Sequence, residues 1–368
     1  MKAAAPLPLL VRVLRAPAAV GACSLADWDL ILRQALSANL SAGLEAALAG
    51  AGLLEQVPAP ARRHLDWARR MAERHMRAVR QEVACLAEAL DALALPLILL
   101  KGAAYVMADA PAARGRLFSD IDILVPAARI EAVESALMLH GWVTSNDDAY
   151  DQRYYREWMH ELPPMHNIRR QTMLDVHHAI LPPTARVHPD SALLRADAVA
   201  VPCAVNGAAV LTLSPADMVL HSATHLFFDG EFDHGLRDMV DLDRLLRQFG
   251  ADPAFWDALS ARAARLELAR PLFYALRYAQ WLFDTPVPAA VMAEVDRLAR
   301  PGALLLALMD AMFERTLLPS HASCSDALTA PARFCLYLRG NWLRMPPLML
   351  ARHLFHKAFL SPKTTPAQ

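Results

Sequence analysis

Lysine is almost missing from this chain. Of 37 basic residues only four are lysines (Lys2, Lys101, Lys357 and Lys363), so Lys101 is the sole lysine between residues 3 and 356. Arginine fills every other basic position in that interval, and a lysine retained there points to a need for a compact ammonium. Cysteine is also scarce. The five cysteines (Cys23, Cys85, Cys203, Cys324, Cys335) are odd in number, widely spread and include no CxxC pair. That pattern argues against a zinc ribbon, fits a reducing compartment and leads to an expected cytoplasmic location. Net charge is nearly absent at −1, which gives no whole-surface attraction to nucleic acid or to acidic partners. Uninterrupted apolar runs of about 18 residues are lacking too, so no membrane-crossing helix is expected. Arg12 and Arg15, with Pro6 and Pro8, break the apolar character of the first residues and speak against a secretory leader. What remains is 368 residues, 55% hydrophobic and 20% charged. This is room for two domains and a substantial core, rich in helix-forming alanine and leucine.

Ser24 followed by Asp27 marks the start of a first helix. Short helices are expected to about Glu55, where Pro58 and Pro60 interrupt. From Ala61 to Leu93, apolar residues recur at spacings of three and four (Leu65, Ala68, Ala72, Met76, Val79, Val83, Leu86, Leu90), predicting a long amphipathic helix with arginines on its solvated faces. Pro96 opens a strand running into Lys101. A helix is predicted over 127–140, ended by Gly141, with a strand from Trp142. Residues 150–170 read as strands and loop. Thr172–Ile180 is a second apolar strand, and Asn206-Gly207 signals a hairpin between Val199–Val205 and Ala208–Leu213. From Ser214-Pro215-Ala216-Asp217, a cap, an N1 proline and an N3 acid in succession, the pattern becomes helical: 215–228, 235–249, 253–267, 270–283, 288–314, 331–342 and 347–359. The expected organisation is an N-terminal helical segment (1–93), a mixed α/β domain (94–213) and a helical domain (214–368).

Chemistry concentrates between Lys101 and Val125. Ser119-Asp120-Ile121-Asp122-Ile123-Leu124-Val125 alternates acids with apolar residues at period two, so Asp120 and Asp122 share one side of a strand, roughly 7 Å apart. Two like charges on one face of an apolar strand call for a cation between them. Upstream, Gly102 at a strand-to-helix turn lets the backbone approach a phosphate, and the helix start offers free N–H groups. Downstream, Asp175 sits on its own apolar strand. Three acids of this kind suit two Mg²⁺ ions and an in-line phosphoryl or nucleotidyl displacement, with Asp175 as the acid nearest the nucleophile. His177, at i+2 from Asp175, shares its face; His178 points the other way and reads as structural.

With these residues in view, the chain resembles the DNA polymerase β-type nucleotidyltransferases, and more closely a largely uncharacterised bacterial nucleotidyltransferase family. The resemblance lies in Leu100-Lys101-Gly102, in Arg116 ahead of Ser119–Val125, in Leu174–His178, and in a histidine-bearing helix followed by Arg237–Leu246. It covers roughly residues 85–250. It implies an α+β fold of the polymerase-β type, a mixed sheet flanked by helices, with metal on Asp120 and Asp122 joined by Asp175. It further implies an NTP as substrate; Lys101, Gly102, Arg116 and Ser119 are the expected nucleotide contacts, with His177 placed to contact nucleotide or acceptor or to fill the edge of the site. The broader superfamily has Ser after the glycine; here it is Ala103, leaving the phosphate contact to Lys101.

Other features read more simply. Arg114 is equally compatible with phosphate contact and a plain surface role. His221 and His225, with Asp229, could hold zinc, but Ser222 stands where a zinc-protease motif needs Glu, and packing against the catalytic domain is the simpler role. Arg237 and Asp241 read as a helix ion pair. Residues 331–360 combine arginines and Lys357 with Trp342, Leu348, Leu354 and Phe359, which suits either a packed terminal helix or contact with a membrane surface or protein. The sequence thus leads to a Mg²⁺-dependent nucleotidyltransferase with an undetermined acceptor. A nucleotide-binding module without turnover and a peripheral membrane or complex-forming protein are the alternatives. Lacking a basic strip over residues 1–330, the chain is not expected to act on long nucleic acid.

Overall fold

The structure is a computed structural model and describes residues 6–144, 152–201 and 210–352. Four helices lead the chain: α1 (Leu9–Arg15), α2 (Leu25–Ser37), α3 (Ser41–Gly50) and α4 (Ala59–Leu90). The expected cap of α2 is present: Ser24 Oγ accepts from the Asp27 N–H while the Asp27 carboxylate accepts from the Ser24 N–H, two orphan donors satisfied at once. The long α4 buries Leu65, Ala72, Val79, Val83, Leu86 and Leu90, the stripe that the spacing predicts, and gives way to a short 3₁₀ turn at Asp91–Leu93.

The mixed region follows as β1 (Leu97–Leu100), α5 (Lys101–Met107), β2 (Asp120–Leu124), α6 (Ile130–Leu139), β3 (Trp142–Thr144), β4 (Met165–Asn167), β5 (Met173–His177), α7 (Ser191–Ala196), β6 (Val199–Ala200) and β7 (Val210–Thr212). One seven-stranded sheet has the order β3-β4-β5-β2-β1-β7-β6. β2 runs antiparallel to β1 and parallel to β5, and β1 runs parallel to β7. Because β2 is interior, its apolar residues are covered on both sides: Ile121, Ile123 and Leu124 are each 2% exposed or less. In register, Asp122 lies beside Asp175 of β5 and beside Leu100 of β1. The turn Asn206-Gly207 lies outside the described residues; the strands it was expected to join do pair, Val199 with Thr212 and Ala200 with Leu211. Within 150–170 a π-helical turn at Tyr154–Trp158 precedes β4.

The helical remainder comprises α8 (Pro215–Phe228), α9 (Gly235–Phe249), α10 (Pro253–Arg265), α11 (Ala269–Phe283), α12 (Ala289–Ala299), α13 (Ala303–Thr316) and α14 (Thr329–Arg344). The single helix expected over 288–314 is two, because Arg300-Pro301-Gly302 intervenes: proline lacks the N–H and clashes with the preceding turn. Residues 347–352 are helical; Leu354, Phe355, Lys357, Phe359, Leu360, the Ser361-Pro362 stop and Lys363 lie outside the described residues.

Arginines of α14 reach neighbouring elements, Arg339 and Arg344 toward the interior and Arg333 at the surface. Arg339 donates to the Phe227 carbonyl at 2.7 Å, Arg344 lies 3.7 Å from Asp229 and Arg333 lies 3.7 Å from Asp233. Phe334 and Trp342 of the same helix are exposed. Among the described residues no helix is long and apolar enough to cross a membrane.

Candidate active site

Lys101 ends β1 and starts α5 with φ +41°, a left-handed backbone that a residue with a Cβ adopts at a cost. This turn drops α5 back against β2. Gly102 follows, and its missing Cβ is what the site needs: a Cβ there would lie 2.5 Å from Arg116 Nη1 and 2.8 Å from the Phe118 ring. The sequence suggested that Gly102 admits a phosphate; the structure adds that it admits Arg116. Ala103 is buried and takes no part in the cavity wall.

Arg116 comes from the loop between α5 and β2. That loop is pinned from two sides. Gly115, at φ +71°, presses against the Ala42–Gly43 backbone of α3 where no Cβ fits, and Arg244 of α9 donates to the carbonyls of Arg114 and Gly43 at 2.7 and 3.1 Å. Arg116 itself is buried. Its Nε donates to Asp241 Oδ2 at 2.5 Å, its Nη2 lies 3.9 Å from Asp238, and its Nη1 has no hydrogen-bond partner among the described residues. Burial works against the charge, but Asp241 and Asp238 outweigh it and hold the guanidinium firmly protonated. The expected helix pair of Arg237 with Asp241 is therefore replaced: Asp241 serves Arg116, and Arg237 pairs with its neighbour Asp238 at 2.9 Å. Arg114 is exposed and outside the cavity wall.

A cavity of about 530 Å³ opens between the sheet and the helices α8 and α9. Its wall brings together Lys101, Gly102, Arg116, Ser119, Asp120 and Asp122 with His225, Arg237 and Asp241, all singled out in the sequence, and adds Tyr105, Ser222, Glu231, His234 and Asp238. Tyr105 and Ser222 share a hydrogen bond of 2.5 Å that joins α5 to α8. Asp175 and His177 are not in that wall. They stand one strand behind, connected to it through Asp122.

Around Asp122 the charges interlock. His177 Nε2 is 3.0 Å from Asp122 Oδ1, Lys101 Nζ is 3.6 Å from the same oxygen, and His177 Nδ1 is 3.1 Å from Glu161 Oε2. Burial would raise the Asp122 pKa, yet Lys101 and His177 together hold it far below the usual carboxylate range. At Asp175 the His177 charge offsets the opposing effects only in part. Burial, then the neighbouring Asp122 and Glu161 carboxylates, push it up to about 7. Burial likewise raises Glu161 and Asp229. Burial opposes the charge of His177, but Asp122 and Glu161 raise its pKa above the ordinary value.

On α8, burial followed by Lys101 holds His221 down to about 3 and His225 well below its ordinary value. His225 opens onto the cavity and lies 3.3 Å from Asp229. His178 is half-buried and off the cavity.

Asp122, Asp175 and His177 can each bring a ligand atom within 4.8 Å of the others. With Asp120 two residues along the same strand, the donor set is rich in hard carboxylate oxygen, which fits a Mg²⁺-type cation. Glu161 is the main residue that sequence reasoning missed. Its segment pairs with β5 as an isolated bridge, Glu161 opposite His177, and only the polar His160-Glu161 pair within an otherwise loop-like stretch hinted at it. Asp238 and Asp241 lay inside the Arg237–Leu246 stretch, but nothing local indicated that their partner is Arg116, 125 residues upstream of Asp241.

The constellation is a cavity of about 530 Å³ with a carboxylate strand and a buried arginine, set where a central strand meets a helical half. No curated protein matches the chain. A family model described as an uncharacterised nucleotidyltransferase matches residues 24–284 of 368, and the chain belongs to that family.

Proposed function

We propose that this protein is a Mg²⁺-dependent nucleotidyltransferase that moves a nucleoside monophosphate from an NTP to an acceptor hydroxyl. The observation that carries the reading is Arg116. A buried guanidinium with an unpartnered Nη1 sits in the same cavity wall as Asp120 and Asp122. An orphaned cationic donor of this kind is costly unless a ligand supplies the acceptor, and phosphate oxygen is a strong acceptor for arginine. The cavity is within the usual size range for a bound small molecule, roughly 300–1,000 Å³.

In this reading the triphosphate accepts from Arg116 Nη1 and from Lys101, whose ammonium turns from Asp122 toward the phosphates, with Ser119 at the edge and Gly102 giving the backbone room. Asp120, Asp122 and Asp175 hold the metal, two ions in the full complement, and His177 fixes the Asp122 carboxylate. Bound Mg²⁺ neutralises phosphate charge and stabilises the attacking and leaving oxygens. The acceptor oxygen attacks the α-phosphorus, its proton passes to Asp175, and the bond to the β-phosphate oxygen breaks to release pyrophosphate. The acceptor enters along the wall that α8 and α9 contribute, past Ser222, His225 and His234.

The test is a pyrophosphate-release screen over NTPs and hydroxyl acceptors, with Asp120→Asn/Asp122→Asn as control. Release that depends on Mg²⁺ and disappears in the double variant is expected; release unaffected by it sinks the mechanism. A second reading rests on Lys101 and His177, which already neutralise Asp122, and on Ala103. In that reading the site binds nucleotide without turnover, and tight NTP binding with no pyrophosphate release for any acceptor would favour it.

A further inference from the structure

Beside the carboxylate strand lies a second cluster, of which nucleotide transfer uses only His177, through Asp122. His160, Glu161 and His177 can each place one ligand atom within 4.8 Å of the others. We infer that His160, Glu161 and His177 form a binding site for a borderline-soft divalent cation, Zn²⁺ in the first instance, separate from the carboxylate site of Asp120 and Asp122.

The ligand set comes first. Two imidazoles and one carboxylate, with a position left open, is a combination that zinc takes and that Mg²⁺ does not seek. Geometry comes second. His177 Nδ1 and Glu161 Oε2 are 3.1 Å apart, while two ligand atoms on a tetrahedral zinc are about 3.4 Å apart at ordinary bond lengths. The hydrogen bond that now joins them spans the edge an ion would occupy. The third ligand atom lies within 4.8 Å of the other two, and a side-chain rotation brings it toward the same spacing. His160 Nδ1 is buried without a hydrogen-bond partner, so no existing bond on that nitrogen opposes the rotation.

The surroundings match what a metal-binding histidine requires. The other ring nitrogen of His177, Nε2, is held by Asp122 at 3.0 Å, and such an outer carboxylate fixes ring orientation and raises ligand basicity. The backbone is fixed as well. The Leu162 N–H donates to Val176 O at 2.9 Å and the His178 N–H to His160 O at 2.8 Å, so residues 160–162 are laced along β5 and two ligands sit on a strand-like segment instead of a free loop.

The site is independent of the nucleotide reading, and its test needs no acceptor. Full-length protein freed of metal with a chelator is titrated with Zn²⁺ alone by calorimetry, and with Co²⁺ to read the visible bands of a tetrahedral site. One ion per chain is expected. Asp122→Asn is expected to weaken binding by about 10- to 100-fold. His160→Gln and Glu161→Gln, near-isosteric changes whose folding is checked by circular dichroism, are expected to weaken it more. Asp120→Asn is expected to keep it, while abolishing any pyrophosphate release. Failure of the wild type to bind Zn²⁺ overturns the inference. So does binding that survives His160→Gln and Glu161→Gln but is lost in Asp120→Asn, which would place the ion at the carboxylate site.

Discussion

Arg116 is held by two opposing demands. Asp241 and Asp238 neutralise it from the helical half, and its free Nη1 faces the requirement for a further acceptor. Removing it leaves Asp241 buried beside nothing cationic at bonding distance. Arg116→Met is therefore expected to destabilise the protein by about 3–5 kcal/mol, and Arg116→Met/Asp241→Leu by much less, which urea unfolding of the two single variants and the double variant will measure. Gly102→Ala probes the same contact from the other side. The added methyl would sit against Arg116 Nη1 and the Phe118 ring, and the Asp241 bond prevents the guanidinium from stepping aside. Overpacking of this kind costs about 1–3 kcal/mol. Because the displaced atom is the one assigned to phosphate, the loss in NTP affinity by calorimetry should exceed tenfold at about 2 kcal/mol. Unchanged affinity in Gly102→Ala would separate Arg116 from the nucleotide.

At the scale of elements, β2 and β5 were legible because their message is local. Alternation placed Asp120 and Asp122 on one face, and the parallel register then set Asp175 beside Asp122. The cap of α8 was equally legible, since Ser214, Pro215 and Asp217 act within one turn. Glu161, Asp238 and Asp241 were not, because each acquires its role from a partner on a distant element: His177 across an isolated bridge, Arg116 across the cavity. Period and propensity carry no information about such pairings. The same holds for Glu82 of α4, buried under Arg170 and Thr172 from the β4–β5 hairpin. Helix α8 offers a test of burial itself. His221 is enclosed and held neutral down to about pH 3, whereas an unfolded histidine titrates near 6.5. Between those values the unfolded chain binds the extra proton. The contribution of His221 is thus present above about pH 6.5 and lost as pH falls through that window. Urea unfolding at pH 7.5 and pH 5 should show wild type losing more stability on acidification than His221→Asn; equal losses would mean that His221 is protonated in the folded state.

At the scale of the whole molecule, the three parts suggested by the sequence contribute to one buried cluster. Buried apolar residues form one continuous cluster from Leu10 of α1 through Leu99 of β1 and Ile123 of β2 to Leu336 of α14. Polar contacts cross the same boundaries: Arg244 of α9 to Gly43 of α3, Tyr105 to Ser222, Arg116 to Asp241, Thr184 to the Arg344 carbonyl. The cavity is itself composite, with carboxylates from the sheet and the arginine's counter-ions from the helical half. Segments that share a core and complete one another's buried charges cannot unfold separately without exposing both. We therefore expect a single cooperative transition in urea, coincident by far-UV circular dichroism and tryptophan fluorescence. A fragment of residues 94–213 expressed alone should fail to fold, because Arg116 would lose Asp241 and Tyr105 would lose Ser222. A bound NTP with Mg²⁺ should shift the whole transition by the same amount in both probes, since ligand binding to the native state stabilises it as a unit, by about 2.7 kcal/mol at a hundredfold excess over Kd. Two resolved transitions, with only one responding to nucleotide, would instead assign the site to one segment and make the helical half an independent domain.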